Sequence, residues 1–186
     1  IVCSTTYNCR ETSILKNLLD HFCFMLHRPH LFRGKALVIT TTGGVGGGKC
    51  ANSIASTLLG IGVNRCYKLS IATISWNSYM PGARDVKKIS KRTSQFVKDV
   101  CSQKLHAPSF LSLISYNIMR GMGQYYAPGS EYPTEDGVFW TAAERKGHTY
   151  FPEVRVSLIK RAFGQVFYIM GKTLGGKKSM LVTYRK

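Results

Sequence analysis

"KALVITTTGGVGGGKCANSIASTLLGIG", residues 35–62, combines three local signals. The run "ALVITTT" (36–42) is almost entirely apolar or β-branched, which suits a strand in the middle of a sheet covered on both faces. Five glycines occupy the six positions that follow, 43–48. "ANSIASTLLGIG" (51–62) then predicts a helix that ends at Gly60 or Gly62. This order of strand, glycine-rich loop and helix is typical of an α/β unit that binds a ligand at the loop.

The glycine-rich loop nearly matches a phosphate-binding P-loop. Gly43, Gly48 and Lys49 satisfy G-x-x-x-x-G-K, but Cys50 stands where that motif has the Ser or Thr that binds Mg²⁺. Sulfur is a poor ligand for Mg²⁺, and the neighbouring predicted strands end without an Asp or Glu to complete a metal site. The dinucleotide motif G-x-G-x-x-G fails in every frame. The loop therefore indicates bare backbone that a flat ligand can approach closely, or an ordinary turn, rather than a nucleoside triphosphatase.

The first hundred residues alternate between strand and helix patterns. "IVCSTTY" (1–7) and "VNRCYKLSIATIS" (63–75) predict strands, and 12–26 and 88–105 predict helices. Such alternation predicts an open parallel sheet with right-handed crossovers. The residues expected to face the sheet are Ile14, Leu15, Leu18, Leu19, Phe22 and Met25 or Leu26 in the first helix, and Ile89, Phe96, Val97, Val100 and Cys101 in the second.

The last eighty residues read differently. One short apolar helix is expected within 106–126, followed by a turn-rich loop. An amphipathic helix is predicted over 155–172, with one apolar stripe formed by Ile159, Ala162, Phe163, Val166 and Met170. We therefore expect a sheet domain over 1–105 and a basic helical extension over 106–186 that packs on it.

Charge and composition limit the choice of partners. The 186 residues carry 26 Lys and Arg against 9 Asp and Glu, a net charge of +17 that attracts phosphate cofactors, nucleic acid or anionic membranes. No apolar run is long enough to span a membrane and no signal peptide is evident, so a cytoplasmic protein is expected. The six cysteines lack C-x-x-C spacing and are expected to be buried free thiols; no metal site is predicted.

Three segments together resemble a known family. "STTYNCRETSILKNLLDHF" (4–22) resembles the flavin-loop segment of flavodoxin-fold, NAD(P)H-dependent FMN reductases, which commonly read S-P-x-Y and then S-x-x-L-K-x-x-x-D-R. Thr5 replaces the proline and His21 the arginine. "GKALVITTTGGVGGGK" (34–49) is similar to that family's next strand and its T-T-x-G-G loop, and the tail from 138 to 172 is similar to a clostridial-type branch.

The resemblance implies a flavodoxin-like sheet that binds FMN and takes electrons from NAD(P)H for an acceptor that the sequence leaves open. Hydride would pass from nicotinamide C4 to flavin N5, so no acid–base residues are expected to be catalytic. Trp76 and Tyr79 would flank the ring or, more ordinarily, pack in the core. The residues implied to bind the cofactor are Ser4, Thr5, Thr6, Tyr7 and Asn8 in the first loop, and Thr42, Gly43, Gly44, Val45 and Gly46 in the second.

The family's members begin with a strand and a Ser/Thr/Asn-rich phosphate loop, and neither precedes Ile1. The resemblance therefore implies a fold that is N-terminally incomplete and lacks the loop for the FMN phosphate. An exposed sheet edge would favour homo-oligomers. The alternative function is a basic, non-catalytic module on the same scaffold that binds an anionic membrane surface through 155–172, or nucleic acid. No sequence-specific nucleic-acid motif is present, so specific recognition of DNA or RNA is not expected.

Overall fold

The structure is a computed structural model that describes residues 1–74 and 78–176. The chain forms two compact units. The sheet unit comprises Ile1–Leu26 and His30–Lys104. The helical unit comprises His27–Pro29 and the residues from Leu105 onward.

The sheet unit is built on three parallel strands, β1 (Val2–Thr5), β2 (Lys35–Thr42) and β3 (Arg65–Ala72). They lie in the order β1-β2-β3, and the register of the first pair sets Val2 opposite Val38. Helices connect each strand to the next, as parallel pairing requires. The predicted α/β class, with an open parallel sheet flanked by helices as in flavodoxin-like folds, is confirmed.

Helices cover both faces of this sheet. On one face, α1 (Ser13–His21) and α3 (Gly47–Gly60) enclose the larger apolar core, with the short α2 (Phe24–His27) next in the chain after α1. On the other face, α4 (Ala83–Ser102) packs against β2 and β3. Alternate residues of β2 point to opposite faces, so the central strand is apolar at almost every position. Val38 and Leu37 are both fully buried, one in each core.

Several residues predicted to face the sheet do not. Each helix contacts the sheet through a narrow strip, Leu15, Leu19 and Phe22 for α1 and Ile89 with Phe96 for α4. Ile14, Leu18 and Val97 each lie one position from a residue of such a strip, so they are rotated by about 100° around the helix and face water. The first helix also ends at His21 rather than at 26. The exposed residues for which the prediction was wrong are Ile14, Leu18, Val97, Val100 and Cys101.

The helical unit contains α5 (Phe110–Gly123), α6 (Glu135–Thr141) and α7 (Leu158–Gly175). Helices α5 and α7 run parallel to each other: Phe110 contacts Phe163 edge-to-face near their starts, and Gly175 meets Met122 near their ends. A parallel pair needs a long connection, and residues 124–157 supply it. That connection includes α6, which the sequence did not predict as a helix.

The closest approaches between the backbones of α5 and α7 occur at glycines. A Cβ on Gly171 would lie 2.8 Å from Ile118 Cα, and one on Gly175 would lie 3.1 Å from Met122 Cα. Only glycine allows the two backbones to approach this closely. The amphipathic helix predicted over 155–172 corresponds to α7. Of its predicted apolar stripe, Phe163 is half-buried, whereas Ile159, Ala162, Val166 and Met170 are exposed.

All six cysteines are free thiols. Only Cys50 is fully buried, whereas Cys3, Cys23 and Cys101 are exposed, so the expectation of burial was wrong for those three. Within residues 1–74 and 78–176, no helix combines the length and the apolar character needed to cross a membrane, and no group of His, Cys, Asp or Glu side chains is arranged to hold a metal ion.

Candidate functional site

Three loops leave the carboxyl ends of the three strands at one edge of the sheet. They are the β1–α1 loop (6–12), the β2–α3 loop (43–46) and the described part of the β3–α4 loop (73–74 and 78–82). In open parallel sheets, ligands bind beyond this edge. We call the surface formed by the three loops the carboxyl-edge surface.

The β1–α1 loop turns sharply and presents Tyr7. The N–H of Tyr7 donates to the Arg10 carbonyl at 3.0 Å, and the N–H of Arg10 donates back to the Tyr7 carbonyl at 2.8 Å. The two residues between them, Asn8 and Cys9, have φ angles of +47° and +62°. Positive φ at both central positions is characteristic of a type I′ turn, which Asn favours. The turn leaves the Tyr7 ring largely in solvent.

The β2–α3 loop is closed by Thr42. Its hydroxyl donates to the Val45 carbonyl at 2.6 Å and accepts a bond from the Gly44 N–H at 3.3 Å. Thr42 itself is buried, so its hydroxyl holds the loop in shape. Gly46, the last residue of this loop, has a φ of +89°, and a Cβ there would lie 2.6 Å from the Cys9 Sγ. The first two loops therefore lie against each other.

Four large apolar side chains on the carboxyl-edge surface are exposed to water. The exposed fractions are 67% for Tyr7, 85% for Val45, 74% for Ile74 and 83% for Met80. The sequence did not predict Ile74 and Met80 as members of this surface. The stretch "ATIS" (72–75) reads as the continuation of the preceding strand. The turn residues Pro81 and Gly82 were the available signal that the chain had left the sheet. These four side chains, which we call the apolar rim, are suited to pack on the face of a flat ring.

A polar layer lies beneath these loops. Ser4 is buried; its hydroxyl donates to the Thr5 carbonyl at 2.7 Å and accepts from the Thr12 N–H at 3.1 Å. Glu11 is also buried, and its Oε1 accepts from Ser53 of α3 at 3.5 Å. Burial raises the pKa of the Cys50 thiol, and the negative charge of Glu11 acts in the same direction. The carboxylate of Glu11 therefore lies beside α3, where it bonds Ser53 and acts on the thiol of Cys50.

The implied cofactor-binding residues thus divide into two groups. Thr5, Asn8, Gly43 and Gly44 are exposed on the same surface as Tyr7 and Val45, with Thr6 and Gly46 half-buried next to them. Ser4 and Thr42 are buried and shape the loops instead. The Thr6 N–H donates to the Thr41 carbonyl at 2.8 Å, so it and the Tyr7 N–H are engaged within the protein. Trp76 lies outside the described residues, and the Tyr79 hydroxyl donates to Asp85 at 2.7 Å.

The exposed groups are of the two kinds that an isoalloxazine ring would contact. The ring needs an apolar surface along its faces and hydrogen-bond donors at its pyrimidine edge. The apolar rim supplies the first. The first turn of α3 supplies donors, because Cys50 is the first residue whose N–H bonds to a carbonyl in the helix, that of Gly46 at 3.0 Å. A Cβ on Gly44 or Gly48 would meet no atom within 4 Å, so this backbone is open to a ligand.

The chain was compared with models of protein families, with curated proteins and with solved structures, and none of them matches it. The resemblance to FMN reductases therefore stays a prediction from the sequence.

Proposed function

We propose that the chain binds FMN at the carboxyl-edge surface and belongs to an NAD(P)H-dependent oxidoreductase that acts in the cytoplasm. The observation that carries the proposal is the meeting of the β1–α1 and β2–α3 loops, which places exposed Tyr7 and Val45 beside open glycine backbone. Ring binding would cover apolar surface that is otherwise left in water. Bound flavin supplies hydride acceptance at N5.

The protein's part in this function is to bind and position the ring. Tyr7 and Val45 would pack on the ring, and the N–H groups at the start of α3 would bond its pyrimidine edge. Thr42 and Ser4 would keep the two loops in place from below. No side chain is required to transfer a proton, in keeping with a surface whose exposed members are mostly glycine and apolar residues.

The test is a titration of the purified chain with FMN, followed by the flavin absorption bands and emission. We expect shifted maxima, quenched emission and bleaching by NADH or NADPH. Val45→Asp should weaken FMN binding by about tenfold, roughly 1.4 kcal/mol. Val86→Asp, at an exposed position of α4 outside the surface, is the matched control and should bind FMN like the unchanged chain. Absence of binding at high micromolar FMN would refute the proposal for this chain.

One observation favours the alternative, a basic non-catalytic module that lies on an anionic membrane. Ile159 and Val166 of the predicted stripe and the neighbouring Ile169 are exposed to water, and the exposed Arg161 and Lys172 lie on the same helix. An exposed apolar stripe with basic flanks is the arrangement that binds membrane interfaces. Flotation with anionic liposomes tests it. Binding that Val166→Asp abolishes and Val138→Asp leaves unchanged would favour this function over the reductase.

A further inference from the structure

Arg120 is a buried cation that has no negative partner among residues 1–74 and 78–176. It lies near the end of α5 and is only 5% exposed. One terminal nitrogen, Nη1, donates to the main-chain oxygen of His148, and the other, Nη2, donates to Gln165 Oε1 at 3.0 Å. Its guanidinium carbon lies 4.2 Å from the centre of the Tyr168 ring. The third nitrogen, Nε, is buried and makes no hydrogen bond to the described residues.

A charge in this position is costly unless something compensates it. Removing a guanidinium from water is unfavourable, and neutral hydrogen-bond acceptors replace only part of the hydration that is lost. In the part of the chain that the structure describes, no carboxylate lies within ion-pair distance of Arg120, and its burial lowers the pKa of the guanidinium. The missing compensation can come from an anionic ligand.

The side chain of Arg120 lines a cavity of about 350 Å³ within the helical unit. Arg145 and Lys146 line it as well. Arg145 is mostly buried; its Nη1 pairs with the exposed Glu144 at 2.7 Å, while its Nε is buried without a partner in the described residues. Three cations therefore line the cavity, and among the described residues only Arg145 has a carboxylate partner. The cavity, which we call the Arg120 cavity, carries a net positive charge.

We propose that the Arg120 cavity binds a small molecule that carries a phosphoryl group. The phosphoryl oxygens would accept from Arg120, Arg145 and Lys146, and a dianion matches several cations better than a single carboxylate does. The remainder of the molecule would lie against Trp140 and Tyr168, which also line the cavity. A volume of this size accommodates a phosphomonoester with a small apolar body and exceeds what an inorganic anion alone would fill.

Isothermal titration of the full chain with phenyl phosphate and with phenol tests the proposal, because the two probes differ in the phosphoryl group. The titrations are made at one ionic strength set with chloride. We expect saturable binding of one phenyl phosphate per chain, at least tenfold tighter than phenol. Inorganic phosphate should bind more weakly and should compete. Equal binding of the two probes, or no binding of either, would overturn the proposal.

Variants separate the cavity from general attraction to a chain of charge +17. Arg120→Met should reduce the affinity for phenyl phosphate by at least tenfold. Arg155→Met removes the same charge at an exposed position of the same unit and should leave it unchanged. If Arg120→Met does not fold, Lys146→Ala, at an exposed side chain, should reduce the affinity about threefold.

Two outcomes of the variant series would contradict the site. An equal loss in Arg120→Met, Lys146→Ala and Arg155→Met would mean that only the overall charge attracts phosphate. Binding to vesicles that contain phosphatidic acid, without binding of soluble phenyl phosphate, would place the anion contact on a membrane-facing surface instead of in the cavity.

Discussion

Replacement of Gly171 by Ala tests whether backbone contact holds α7 against α5. A Cβ at this position would lie 2.8 Å from Ile118 Cα and 2.9 Å from the Ile118 carbonyl carbon. Real Cβ atoms do not approach backbone atoms below about 3.0 Å. Because these neighbours are backbone atoms of a helix, no side-chain rotation can relieve the clash. The two helices must move apart.

The expected magnitude follows from two opposing effects. Alanine is favoured over glycine inside a helix by about 1 kcal/mol. Restoring an ordinary carbon–carbon distance requires the helices to separate by about 1 Å, which forfeits roughly a quarter to a half of the dispersion energy along the contact. Overpacking of this kind costs typically about 1–3 kcal/mol, and here the neighbouring contacts of Gly121 and Gly175 are lost together with that of Gly171. We expect a net loss of about 2 kcal/mol, or a Tm lower by roughly 4–8 °C.

Urea unfolding measured by tryptophan fluorescence reports this change. The chain has two tryptophans, so a Trp76→Phe background leaves the buried Trp140 of the helical unit as the reporter. The matched control is Gly48→Ala in α3, where an added Cβ would meet no atom within 4 Å. Circular dichroism should show that this control is stabilised by about 0.5–1 kcal/mol. If Gly171→Ala were neutral or stabilised like Gly48→Ala, the contact would not have the closeness on which the reasoning depends.

Three further changes have expected outcomes. Gly46→Ala should destabilise the sheet unit by about 1–2 kcal/mol and weaken FMN binding, because alanine there is strained at a φ of +89° and meets the neighbouring loop. Urea unfolding measures the first effect and the FMN titration the second, and unchanged stability would contradict the geometry. Asp99→Asn should lower the free energy of unfolding in urea by about 3 kcal/mol, because it leaves Lys35 as an uncompensated buried charge. The Lys35 Nζ lies 3.4 Å from the Asp99 Oδ1, and its side chain is only 4% exposed. Asp20→Asn, in an exposed pair with Lys16, should cost less than about 0.5 kcal/mol, and equal losses in the two variants would contradict the reasoning. Burial raises the pKa of Cys66 from 9.0 to about 11, so between these pH values the folded state keeps a proton that the unfolded state releases. The stability that is present below pH 9 should therefore fall by roughly 2 kcal/mol as the pH rises to 11. Cys66→Ala should flatten this pH dependence in urea unfolding midpoints measured across that range.

The sheet was predictable because its strands carry a strong and redundant signal. A run such as 36–42, apolar or β-branched throughout, is compatible with a central strand buried on both faces, and the structure gives β2 as Lys35–Thr42. The parallel order followed from the alternation of strands and helices. Helix faces were less predictable. The apolar residues of α4 exceed what one strip of the sheet can cover, and periodicity alone does not say that Phe96 is packed and Val97 is exposed.

The carboxyl-edge surface was predictable in outline and less so in detail. The position of the glycine loop after β2 followed from the sequence, since loops after parallel strands share one edge. The turn of the β1–α1 loop did not, because it requires a cysteine, Cys9, at positive φ, which sequence preferences do not favour. Likewise, the Thr42 hydroxyl is equally suited to a ligand or to its own loop. Its bond to the Val45 carbonyl appears only in three dimensions.

Helix α7 illustrates a limit of sequence patterns that has a physical cause. Its large aliphatic residues, such as Val166 and Ile169, lie on one side, and its glycines, such as Gly164 and Gly171, lie nearly opposite. A hydrophobic pattern assigns the aliphatic side to the core, because burial of large apolar side chains normally supplies the stabilisation. Where two helices touch at glycines, close backbone contact stabilises the pair, so the large aliphatic side chains of α7 need not lie between them. The aliphatic side is then left free for another surface, which is the reason that membrane binding through this helix remains worth testing beside the reductase.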